Sequence, residues 1–148
     1  MLKGALAGVA AAGAWAAAEP ALARLLGPPP GYSDIRLLGA VLTRDGRGWR
    51  AAGLAAHLVN GAAFGAVFHR LGGRGARQGL VAAQAENLVL WPAMALVDRL
   101  HPDRRTGAWP PLLGNARVFA YEAAAHAVFG AVLGTLAARA QPRSSPSA

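Results

Sequence analysis

The chain has no cysteine. Disulfides, thiolate metal sites and cysteine nucleophiles are therefore excluded, and cysteine usage says nothing about redox compartment. Acids are scarce, 7 Asp+Glu against 15 Lys+Arg, for a formal charge of +8. Charge of either sign is scarce as well, at 15% of residues, where soluble domains average about 25%. Lysine is reduced to Lys3 alone, beside 14 arginines. A glycine-rich phosphate loop, a nucleophile elbow and a zinc-binding pattern are all missing, so no motif-borne catalysis is indicated. What fills the 148 residues is small and apolar: 54% are hydrophobic, 37 are alanine and 19 are glycine.

The few charges are spaced at a telling interval. Twenty residues separate Lys3 from Arg24 with one charge between them, Glu19. Nineteen separate Arg50 from Arg70 with none. Twenty separate Arg77 from Asp98 with only Glu86, and 21 separate Arg117 from Arg139 with only Glu122. A helix needs about 20 predominantly apolar residues to cross a bilayer core of about 30 Å. Arginines at the ends can reach the headgroups while the apolar stretch stays in lipid. A soluble alanine-rich bundle would carry a polar stripe on each helix, and the second window has almost none. The windows therefore predict an all-α fold, a transmembrane bundle with spans over about 3–26, 50–70, 77–99 and 115–139, in one domain over 1–140. The tail 141–148, rich in Ser and Pro, is expected to be disordered.

The first window also carries the marks of a secretory leader. Met1-Leu2-Lys3 precedes an apolar stretch, and Ala16-Ala17-Ala18 offers a small-residue cleavage site. Apolar residues resume after Pro20, so the stretch can also span uncleaved, and it is counted here as a span bent at Pro20. The connection 27–49 opens with Gly27-Pro28-Pro29-Pro30-Gly31, a break in any helix. Ser33 or Asp34 then offers a cap for a short helix through Thr43. That helix would lie at the interface, with Arg36 and Arg44 outward and Tyr32 and Trp49 at headgroup level. An ordinary loop helix packed on the bundle is the equal alternative. Pro92, after Trp91, predicts a kink in the third span.

Basic residues do not orient the bundle. Lys3, Arg70, Arg74, Arg77, Arg139 and Arg143 fall on the side of the termini. More arginines fall on the side of the long loops, but the turn 71–77 is the denser element and leans the reading toward termini inside. Gly4/Gly8, Gly61/Gly65 and Gly130/Gly134 are each four apart, a spacing that lets helices approach closely in lipid. It serves equally for one bundle or for a homodimer. Residues 61–68 align with 126–133 at five of eight positions, which hints at a duplicated two-helix unit.

Function, if legible, lies in the polar residues inside the spans. Ionisable groups there cost roughly 3 kcal/mol or more unless they face a cavity or each other. Counting about 1.5 Å per residue from the flanking arginines, His57 lies about 10 Å deep and His126 about 13 Å, with Glu19 and Glu122 both about 8 Å. All four enter from the side of the long loops, and Glu86 sits near the midplane. Glu122 and His126, four apart, share a helix face. The expected polar pocket comprises Glu86, His57, Glu122, His126, Asn60, Gln84, Asn87 and Glu19. Of these, Asn60, Gln84 and Asn87 read first as interhelical hydrogen bonds. Glu86, a lone carboxyl at mid-depth, is the candidate proton carrier.

No cofactor is expected. The alternative is a haem- or metal-binding module, with His57 and His126 as ligands from helices running the same way. The Glu-x-x-His spacing of bundle di-iron sites is absent, because Glu122 and His126 are four apart. The basic balance is explained by interfacial arginines, so the partner is the lipid bilayer and not nucleic acid.

Several short motifs resemble small bacterial inner-membrane proteins of the YagU type. They are Trp15 before Glu19-Pro20, the proline-rich start of the first loop at Pro28–Pro30, a third helix with Gln84 and Pro92, and Tyr121-Glu122 with His126 four residues on. The resemblance touches the first, third and fourth spans and implies a multi-pass inner-membrane protein with no assigned activity. Two functional expectations follow from the residues: proton-linked or small-solute handling through the pocket, or a non-catalytic scaffold or stress-response protein in which the polar groups are structural.

Overall fold

Each of the four apolar windows forms a helix long and apolar enough to cross a membrane. The structure is a computed structural model that describes residues 1–43 and 46–140. Arg44 and the tail 141–148 lie outside the described residues. In chain order the helices are α1 (Leu2–Leu26), α2 (Asp34–Leu42), α3 (Trp49–Arg70), α4 (Ala76–Leu90), α5 (Met94–Leu100), α6 (Pro102–Arg105) and α7 (Ala116–Ala140). No strand occurs among the described residues. The third span is α4 and α5 joined by one 3-10 turn, Trp91–Ala93. Pro92 has no N–H to continue the α-helical ladder, so the helix tightens where the sequence places the kink. Pro20 acts differently: α1 runs through it as one helix and stops only at Gly27. There a left-handed backbone (φ 59°) returns the Gly27 N–H to the Ala23 carbonyl.

Across the bundle the order is α3, α1, α7, α4. The fourth span is the centre, with 50% of its apolar window buried, and the third is the periphery, with 11%. Although joined by a short turn, α3 and α4 are not packed together.

The packed pairs are built on glycine. A side chain on Gly8 would strike the Gly61 carbonyl, and one on Gly79 would strike the Gly130 carbonyl. The three glycine pairs of the sequence are thus occupied within the chain: α1 against α3, and α4 against α7. Gly65 and Gly130, which correspond in the internal alignment, both abut a partner backbone, and the aligned Phe64 and Phe129 rings meet edge to face at 5.4 Å. Small alanines (Ala7, Ala11, Ala12, Ala83, Ala125, Ala137) fill most of the remaining core around Trp15, Phe68, Phe129 and Leu133.

The short helix α2 is present, capped by Ser33, whose hydroxyl accepts the Arg36 N–H at 3.1 Å. It packs on the start of α3 through Gly39 and Gly53. Arg36 does not point outward as expected. Its guanidinium grips Asp103 with two bonds of 2.7 Å, because the second long loop folds back over the first. Tyr32 is likewise not at headgroup level but buried, packed with Trp109, Leu112, Val118 and Tyr121. Trp109 stacks on His101 (4.6 Å, 11°), and Asp98 accepts the Leu112 and Leu113 N–H groups together with the Arg104 guanidinium. The described parts of the two long loops therefore form a cap over one end of the bundle.

Candidate functional site

Beneath that cap lies a partly open cavity of about 320 Å³. Of the eight expected pocket residues, six line it: His57 and Asn60 from α3, Glu86 and Asn87 from α4, Glu122 and His126 from α7. The other two do not. Gln84 donates to the Ala123 carbonyl at 2.7 Å and ties α4 to α7. Glu19 sits behind the wall and accepts the Asp34 N–H at 2.9 Å.

Asp34 is an ionisable lining residue that the sequence did not single out. Ser33 and Asp34 both qualify as a helix cap, and only one can occupy that position. Ser33 takes it, which leaves the Asp34 side chain free to enter the cavity. There the carboxyl lies 3.9 Å from His57 Nδ1 and within hydrogen-bonding reach of the Glu122 carboxyl. A hydrogen bond between two carboxyls needs a proton on one of them, since neither anion can donate. Burial holds Asp34 well above its ordinary range, and the charges of Glu122 and Glu19 add to the effect. Tyr32 from the first loop completes the contact, donating to Glu122 Oε1 at 2.5 Å. Burial keeps this phenol protonated, and the Glu122 charge reinforces it.

The histidines are oriented by main-chain carbonyls. His57 Nε2 meets the Ala12 carbonyl at 3.2 Å, and His126 Nδ1 meets the Glu122 carbonyl at 2.8 Å. A carbonyl only accepts, so these nitrogens carry protons. Both imidazoles pack on Trp15, at 5.0 Å for His57 and 4.5 Å for His126. His57 Nδ1 faces the Asp34 carboxyl at 3.9 Å. Among the described residues no group of three or more His, Cys, Asp or Glu is placed to hold a metal ion.

Glu86 occupies a separate place. Its carboxyl lies within reach of the Asn60 amide across the space between α4 and α3. It also borders a second cavity of about 330 Å³, lined otherwise by apolar residues of α3 (Phe64, Val67, Phe68, Leu71) and α4 (Ala82, Ala85, Val89). The polar cavity and the apolar groove thus meet at Glu86.

Charge is segregated to a degree that composition does not predict. The chain holds twice as many bases as acids, yet among the described residues no Lys or Arg lines the polar cavity. Asp98 and Asp103 are paired with Arg104 and Arg36 in the cap. Glu19, Asp34, Glu86 and Glu122 converge in or beside the cavity. Comparison with protein-family models, with curated proteins and with solved structures finds no match for this chain.

Proposed function

We propose that this multi-pass membrane protein handles protons, or a small solute linked to them, through the polar cavity between its spans. The observation that carries the reading is the set of five ionisable side chains lining one cavity with no Lys or Arg among the described residues: Asp34, His57, Glu86, Glu122 and His126. Uncompensated carboxyls in a membrane interior are functional by default, because purely structural burial would favour apolar replacements. Asp34 lies beside Glu122, the two imidazoles border the same space, and Glu86 faces the opening between α3 and α4. The short motifs shared with YagU-type proteins support placing the chain in a bacterial inner membrane.

Infrared difference spectroscopy of the protein in lipid nanodiscs, between acidic and neutral pH, tests the reading. The expected result is a protonated-carboxyl band that disappears toward neutral pH and is reduced in Glu86→Gln and in Glu122→Gln. Spectra identical in the wild type and both variants would remove the cavity carboxyls as proton carriers.

A further inference from the structure

We infer that the cleft between α3 and α4 binds an amphipathic amine, with its ammonium head in the acid-lined cavity and its alkyl tail in the adjoining apolar groove. The inference rests on the pocket reading above and names its substrate class.

Charge complementarity selects the head. Asp34, Glu86 and Glu122 line the cavity with no Lys or Arg among the described residues, so a cation is attracted and an anion repelled. Trp15 and Trp91 supply aromatic surface in the same wall, which favours an ammonium group further. A buried donor shows what else the head carries. Asn87 Nδ2 lies in the cavity wall, on a residue 4% exposed, and has no hydrogen-bond partner among the described residues. An unpartnered buried donor is costly, and a ligand oxygen beside the amine would satisfy it. The shape selects the tail. The groove is apolar apart from Glu86, and Glu86 belongs to both compartments. The head cavity alone, about 320 Å³, falls at the lower end of the range of small-molecule sites, about 300–1,000 Å³. Because α3 and α4 are not packed together, the tail can enter sideways from lipid without opening the cap.

The experiment titrates the full chain in nanodiscs with n-octylamine, with the amino alcohol of the same chain length and with n-octanol, followed by calorimetry and tryptophan fluorescence. Octylamine is expected to saturate at one per chain and to bind at least about tenfold more tightly than octanol. The amino alcohol is expected to bind more tightly again. Glu86→Gln and Glu122→Gln should each weaken the amine by about tenfold or more and leave octanol unchanged. Val59→Ala, on the outer face of α3 (68% exposed), should change nothing. Equal affinities for octylamine and octanol would overturn the inference, as would an amine affinity unaltered in both carboxyl variants. The infrared titration separates the two failures. Carboxyls that titrate in a chain that ignores amines sink the inference alone, whereas carboxyls that do not titrate sink the pocket reading with it.

Discussion

A buried aspartate beside two glutamates gives the molecule a pH dependence of known sign. Asp34 is 8% exposed and held well above its ordinary value of 3.8, by burial first and then by the charges of Glu122 and Glu19. The groups facing it are Glu122 from α7, Glu19 from α1, His57 from α3 and, at longer range, Glu86 from α4. The folded chain keeps a proton that the unfolded chain releases. The stability this confers is complete below pH 3.8 and is lost as pH rises through the raised value. Asp34→Asn cannot ionise, so its stability relative to the wild type should climb from acidic to neutral pH in detergent melting curves. Equal pH slopes in the two proteins would exclude Asp34 as the titrating group. Tyr32→Phe deletes a hydroxyl that donates to Glu122 and should lower stability by about 1–2 kcal/mol, read from the same curves. Neither residue was legible as a site in the sequence. A Ser-Asp pair before a helix reads as a cap, and a loop tyrosine reads as interfacial; which one enters the cavity depends on a fold-back that no local pattern encodes.

At the scale of the helix, glycine divides into two kinds. Gly13 has open space where a side chain would go, whereas Gly79 faces the Gly130 carbonyl. Gly13→Ala should therefore be neutral or stabilise by about 0.5–1 kcal/mol through helix propensity. Gly79→Ala should destabilise by about 1–3 kcal/mol, because two backbones must separate to admit one methyl. Thermal unfolding of the two variants in one detergent decides it, and equal shifts would contradict the glycine-built interface. The spacing of four was visible in the sequence, and so was the choice of spans. The partner of each glycine was not. Gly8 could have met another chain as well as Gly61, because spacing describes one face and a contact requires two.

The whole molecule is a row of four spans with its first and last helices at the centre and its two middle helices apart. Four crossings put the turn 71–75 and the cap on opposite faces of the membrane. The absence of native cysteine makes this easy to read. In vesicles of single orientation, Arg74→Cys and Arg105→Cys should be labelled by a membrane-impermeant maleimide from opposite sides. Labelling of both from one side would refute the four-span arrangement. The separation of α3 from α4 is the feature with the largest functional consequence, since it opens the cavity toward lipid. It runs against the expectation that helices joined by a short turn pack together.

The sequence by itself determined the all-helical class and the four segments long and apolar enough to cross a membrane. These follow from counting: a bilayer has a fixed thickness, a helix has a fixed rise, and charges mark where apolar runs stop. Six of the eight expected pocket residues line one cavity, and the sequence marked them as polar side chains inside apolar windows. Only the tertiary structure decided which faces meet. It placed Gln84 in a helix-to-helix bond and Glu19 behind the wall, brought Asp34 and Tyr32 onto Glu122, and left α3 and α4 apart. Rotation of a helix about its own axis is set by the shape of its neighbours, here by backbone-to-backbone contacts at glycine, and that information is shared between segments far apart in the chain.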